Sequence, residues 1–224
     1  DYTAATDPKN YEAGELRVIA NDAIATQRVL LRKGDFDVAP LAWSPDGRSI
    51  LTWMWPFNMP TQFAWVRVSD GTVAVIKRLQ ERRLEPGWLP QLSPDGRFIA
   101  YAGTLTEPGR PESVLESGSQ IYVLAADGSS EERITRENNN AKPVWTPDGS
   151  HLVFVSTREG SNSLWAVPMR NGHAAGNVAL LKRDFAPIWS MKMTRAGSLY
   201  YTQNQSVNEV WAIDNLMSAL KTGR

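Results

Sequence analysis

One short turn motif recurs along the chain and limits what the chain can fold into. Its copies read Ser44-Pro45-Asp46-Gly47-Arg48, Ser93-Pro94-Asp95-Gly96-Arg97 and Thr146-Pro147-Asp148-Gly149-Ser150, with a worn fourth, Thr194-Arg195-Ala196-Gly197-Ser198. They follow one another at intervals of 49, 53 and 48 residues. A repeated unit of about 40–50 residues marks a propeller or a solenoid. Proline presets φ at the second turn position, aspartate bonds neighbouring backbone, and glycine takes the positive φ. Pro45, Asp46, Gly47, Pro94, Asp95, Gly96, Pro147, Asp148 and Gly149 are therefore read as structural turn residues. Acids recurring in register could suggest metal binding, but each occupies the slot where aspartate serves the turn, and no metal site is expected.

The runs around the turns decide for the propeller. In the third unit, Lys142–Thr146 enters the turn, His151–Ser156 leaves it, Ser163–Val167 follows a second turn, and Ala179–Lys182 closes the unit. Four short antiparallel strands per unit is the content of one propeller blade. The other units align: 41–43, 49–53, 63–68 and 73–76; then 90–92, 98–101, 120–124 and 132–135; then 188–193, 199–201 and 209–213. Trp65, Tyr122, Trp165 and Trp211 recur on third strands, and Trp43 and Trp145 on first strands. Stacking on a cofactor is conceivable for such rings. Filling the wedge between neighbouring blades is the stronger reading, so all are expected in the core.

Glu15–Ala20 and Gln27–Leu31 resemble the third and fourth strands of a blade that lacks its first two. At the other end, Leu216–Lys221 reads as a short helix or a poor last strand. The expected architecture is thus an all-β propeller of four-stranded antiparallel blades, about four complete blades plus a half blade, a fragment of a larger ring. Residues 1–14 form an N-terminal extension and 15–224 the propeller. The half blade spans 15–32, and the blades about 40–80, 88–136, 142–184 and 187–220. A small ring with unusual closure, or self-association of two incomplete rings, would also protect the open faces.

The pattern Pro-x-Trp-[Ser/Thr]-Pro-Asp-Gly, followed by an Ile-Tyr-Val or Leu-Trp-Ala strand, resembles the TolB-type propeller repeat, a relative of WD repeats. The match is best over 142–167 and 89–128. The resemblance implies a bacterial propeller of a kind found in the Tol–Pal periplasmic protein, in peptidase propellers and in surface proteins, and it cannot choose among them. It favours a periplasmic or extracellular setting over the cytoplasm.

Composition narrows the chemistry. Lys plus Arg equals Asp plus Glu, 24 against 24, so no global field draws in nucleic acid, and no partner of that kind is expected. The mixed run Lys77, Arg78, Glu81, Arg82, Arg83, Glu85 reads as a solvated outer strand and loop. Absence of cysteine removes disulfides, thiolate zinc sites and cysteine nucleophiles together. No apolar stretch is long enough to span a bilayer, so membrane insertion is not expected. The start at Asp1, without methionine or leader, suggests a piece of something longer. No Gly-x-Ser-x-Gly elbow occurs, and the two histidines, His151 and His173, have no ligand-spaced partner. No catalytic residue, metal or cofactor is assigned.

Two long insertions stand out, Met54–Gln62 and Gly103–Ser119, each joining second and third strands. Long loops in compact domains often carry function. Trp55, Phe57 and Met59, with Arg110 on the second loop, are the candidate binding residues, since such anchors are enriched in hot spots. Folding back to cap the blade is an equal reading of Trp55 and Phe57. The expected function is a non-catalytic protein or peptide interaction module. Alternatives are the gating propeller of a larger peptidase or polysaccharide-active enzyme, and a carbohydrate-binding surface.

Overall fold

The computed structural model describes residues 14–19, 27–32, 36–56, 60–79, 82–84, 89–105, 118–204, 208–213 and 220. The chain divides into two compact units, Asp1–Gln80 and Glu81–Arg224.

In the first unit, β1 (Leu16–Ile19) and β2 (Gln27–Leu31) form a two-stranded antiparallel sheet. Next come β3 (Phe36–Trp43), β4 (Ser49–Pro56), β5 (Gln62–Arg67) and β6 (Val73–Arg78), a four-stranded antiparallel sheet in sequence order. The insertion read from Met54 is shorter than expected, because β4 runs on to Pro56 and β5 starts at Gln62. Leu16 packs with Ile50 and Val66, flanked by Val18, Leu30, Leu31 and Val38, and this seats the small sheet on the large one.

The second unit holds three sheets. The first contains β7 (Arg82–Arg83), β8 (Gln91–Leu92), β9 (Phe98–Leu105), β10 (Gln120–Ala125) and β11 (Glu131–Arg133). Here β9 extends to Leu105, so Gly103 and Thr104 belong to a strand and not to the insertion. Arg82 and Arg83 also depart from expectation, since β7 pairs with the end of β9. The next sheet joins β12 (Asn140–Trp145), β13 (His151–Ser156), β14 (Asn162–Arg170), β15 (His173–Ala174) and β16 (Ala179–Phe185). The last described sheet is β17 (Ile188–Met193), β18 (Leu199–Asn204) and β19 (Asn208–Ile213). Of the expected terminal segment 216–221 only Leu220 is described; it is helical and packs half-buried on Met191, Leu199 and their neighbours.

The turns hold together as their residues predict. Gly47, Gly96 and Gly149 have φ of 68°, 73° and 68°. In each copy the hydroxyl of Ser44, Ser93 or Thr146 donates to the Asp at 2.6, 2.6 and 2.8 Å. The same carboxylates accept from the backbone N–H of Arg48, Arg97 and Ser150. These bonds hold Asp46 below the usual carboxylate range, the Ser44 hydroxyl contributing most. In the fourth copy Ala196 supplies no carboxylate, yet Thr194 Oγ1 still accepts from Ser198 N at 3.1 Å.

Register shows how sheets stack within the second unit. Paired antiparallel residues share a face, and successive residues alternate. Trp145 pairs with Leu152, and Leu152 with Val167. This row is buried against Ala100, Ala102, Ile121 and Val123 of the preceding sheet. Val144, Val153 and Ala166, on the opposite face, pack on Met191, Leu199 and Tyr201.

The same row in the first unit is Trp43–Ile50–Val66. Ile50 and Val66 are buried, but Trp43 is 55% exposed. The core role expected for Trp43 is therefore wrong. What covers Trp145 includes Ala100 and Ala102 on a second strand, and the β1–β2 sheet has no counterpart of that strand among the described residues. Trp65 departs as well. It pairs with Leu51, six residues after Pro45, whereas Tyr122 pairs with Tyr101 and Trp165 with Phe154, each seven residues after its proline. Counted from the turns, Trp65 stands one position later, on the opposite face, and it is only half-buried. Tyr122 and Trp165 are buried as expected, while the Trp211 side chain lies outside the described residues.

Candidate functional site

The two ends of the sheets in the second unit differ chemically. At the Pro-Asp-Gly end the turn hydroxyls and carboxylates close on one another, though the Trp145 indole N–H beside them has no partner among the described residues. At the opposite end, where second strands pass to third strands, three separate segments build a buried polar network.

Gln120, at the head of β10, is 2% exposed. Its amide donates to Gly118 O at 2.9 Å and Asn138 O at 2.8 Å. Its oxygen accepts from Thr135 Oγ1 at 2.9 Å and Asn140 Nδ2 at 3.2 Å. Thr135 Oγ1 also accepts from Ile121 N. Asn140, wholly buried at the head of β12, gives a further N–H to Glu137 O at 2.7 Å. The connection from β11 to β12 is pinned too, since Asn139 Oδ1 accepts from Ser119 N at 3.0 Å. Such a network is costly unless each member is satisfied, and Gln120 and Asn140 are.

The network ends on Arg158, in the turn between β13 and β14. Arg158 Nη2 donates to Asn140 Oδ1 at 3.3 Å and Nε to Ser156 Oγ at 3.2 Å. The guanidinium lies 4.5 Å from the Trp165 ring centroid and 5.5 Å from that of Phe154. Cations over aromatic faces are held by the ring quadrupole. Burial lowers the Arg158 pKa, and the nearby charges of Glu137 and Glu159 oppose that shift. Glu159 itself is ion-paired with Arg183. Among the described residues no carboxylate comes within ion-pair distance of Arg158.

Unused polar capacity surrounds this group. Ser163 Oγ, Ser119 Oγ and Trp165 Nε1 are buried and have no hydrogen-bond partner among the described residues. Ser163 pairs across the strands with Ser156, to which Arg158 is bonded, so both face the same side. Buried polar atoms in native proteins nearly always find partners, so those beside Arg158 need an explanation.

Trp55 lies at the end of β4, half-buried, its ring centroid 4.0 Å from that of the buried Trp53. Phe57, Met59 and Arg110 lie outside the described residues. His151 Nδ1 is 2.9 Å from Ser150 Oγ, and burial lowers its pKa against the pull of Asp148. His173 Nδ1 is 2.5 Å from Glu132. Among the described residues no cluster of His, Asp or Glu could hold a metal ion.

Sequence reasoning passed over Arg158, Gln120 and Asn140. A signal was present: Gln62, Gln120 and Ser163 stand in the same register at the head of third strands, and all three are buried. A polar residue repeating at one buried position is visible only once the strands are aligned from the turns.

The TolB beta propeller domain family matches residues 2–221. The Tol-Pal system protein TolB of Alcanivorax borkumensis is 33% identical over 102 residues, covering 45% of this chain and 20% of that protein. The same-named protein of Geobacter sulfurreducens is 36% identical over 52 residues, 23% of this chain and 12% of its own length. Among solved structures, TolB from Acinetobacter baumannii superposes with a TM-score of 0.66 at 20% identity, over 89% of this chain and 46% of that one. A prolyl endopeptidase gives 0.61 at 16% identity, over 92% of this chain and 32% of its own. The chain thus spans a fifth or less of the TolB sequences aligned and under half of the solved TolB.

Proposed function

The chain belongs to the TolB beta propeller family, and on that premise we propose that it is a non-catalytic interaction module that binds a protein or peptide. The observation that carries the reading is the contrast between sheet ends in the second unit. At one end the turn hydroxyls and aspartates bond within each turn, and the Trp145 indole N–H is the buried polar atom left over there. The other presents Arg158, stacked on Trp165 and Phe154 beside buried polar atoms with no partner among the described residues. Rigid scaffolds commonly place recognition on such ends. Trp55, and from the sequence Phe57, Met59 and Arg110, are proposed as a second contact region. Relatives named for the Tol-Pal system support a protein as the kind of partner, and a periplasmic or extracellular setting is part of the proposal.

Cross-linked capture of partners from bacterial envelope extract tests the reading. Arg158→Glu, or the pair Trp55→Ala with Phe57→Ala, should abolish a captured band that Arg97→Glu leaves intact. Equal loss of thermal stability in the Trp55/Phe57 pair would show that those rings cap the blade instead. A second reading, the gating propeller of a larger peptidase, is favoured by the likeness to a prolyl endopeptidase. Hydrolysis of proline-containing peptides by the full-length gene product would decide for it.

A further inference from the structure

Deepening that reading and resting on it, we infer that Arg158 is the receptor for a carboxylate of the bound peptide. The guanidinium is held in one pose from two sides. Nε and Nη2 are fixed by Ser156 and Asn140, and the plane lies against Trp165. Nη1 makes no bond among the described residues, so one edge of the fork is open. Arginine offers five N–H donors in a rigid plane, and a carboxylate matches such an edge with two oxygens.

The guanidinium has also lost part of its water. Half-buried charges are normally paired, because desolvation is otherwise uncompensated. Arg183, by comparison, is paired with the Glu159 carboxylate. Arg158, half-buried, donates to the neutral oxygens of Ser156 and Asn140 and keeps Nη1 without a bond among the described residues. The Trp165 indole N–H and the Ser163 hydroxyl, on the strand beside it, are buried and have no partner among the described residues.

The charge balance selects a singly charged group. Glu137 and Glu159 both act electrostatically on Arg158. Any anion at Arg158 meets one cation with two acids nearby, and a singly charged carboxylate is repelled by those acids less than a phosphate dianion. The Asn140–Gln120–Thr135 network keeps the fork pre-set, which limits the ordering cost of binding.

Fluorescence anisotropy with labelled octapeptides tests this. The probes are an alternating Glu/Ala peptide with amidated C-terminus, its Gln/Ala counterpart, an all-Ala peptide with free C-terminus, and the Glu/Ala peptide with one phosphoserine. The Glu/Ala peptide should bind, the Gln/Ala peptide should not, and the free-terminus peptide tells a terminal from a side-chain carboxylate. Arg158→Gln should weaken binding about tenfold or more, Arg158→Lys less, and the exposed-turn variant Arg97→Gln by under about twofold. Affinity of the unaltered protein should fall as pH drops through the carboxylate range near about 4, a readout that does not depend on any variant folding. Failure of both the Glu/Ala and the free-terminus peptide to bind better than the Gln/Ala peptide, indifference to Arg158→Gln, tighter binding through phosphoserine, or no peptide binding at all overturns the inference. If any of these occurs while Arg158→Glu still abolishes partner capture, only the carboxylate assignment falls and the interaction module stands.

Discussion

At the scale of single residues, Lys142 is under the most evident strain. It has φ of 54°, a region that costs most side chains of L-residues. It sits where β12 loses register between Ala141 and Val144, so a bulge absorbs the unusual backbone. Burial pushes its pKa down to about 8. Charging Lys142 is therefore harder in the folded chain than in the unfolded one, whose lysine titrates near about 10.4. Between those values the unfolded chain binds the extra proton, so stability should rise as pH climbs from 8 towards 10.4. Allowing for partial solvent access, the gain should be about 1 kcal/mol. Lys142→Asn, which tolerates the left-handed region and carries no charge, should remove the gain. Urea midpoints at pH 7.5 and 10 check this, and identical slopes in both proteins would refute it. A sequence shows this lysine as an ordinary first-strand residue, because neither the bulge nor the burial is encoded next to it.

At the scale of elements, the turns were legible and the network was not. Ser-Pro-Asp-Gly bonds within itself, so its neighbours in sequence contain the whole explanation. Gln120, Asn140 and Arg158 are brought together by three connections, and their spacing says nothing until sheets are stacked. The docking of the β1–β2 sheet is similar. Arg28 reaches across to the carbonyls of Val68 and Ser69. Gly71, with φ of 74°, passes so close to Leu30 that an added Cβ would lie 2.2 Å from its carbonyl oxygen. Gly71→Ala should both strain the turn and push β2 away, at a cost of about 1–3 kcal/mol. Hydrogen exchange should then speed up in β1 and β2 more than in β4 and β5. Uniform acceleration across the first unit would show that the glycine serves only its own hairpin.

At the scale of the whole molecule, repetition allows a controlled comparison. Trp43 and Trp145 occupy one position of the repeat, paired with Ile50 and Leu152. Their exposures are 55% and 6%. Trp145→Ala should cost about 3–5 kcal/mol, the range for emptying a buried aromatic site, and Trp43→Ala under about 0.5 kcal/mol. Denaturant midpoints of the two variants measure both; equal losses would mean that Trp43 is covered in solution. The sequence made the two tryptophans look alike because the motif reports a residue's own strand, while burial depends on the strand behind it. Trp65 carries the same lesson with a practical edge. A chimaera that exchanges β5 for β10 by superimposing Trp65 on Tyr122 would turn every side chain of the graft inside out, so repeat engineering in this chain has to count from the proline of the turn.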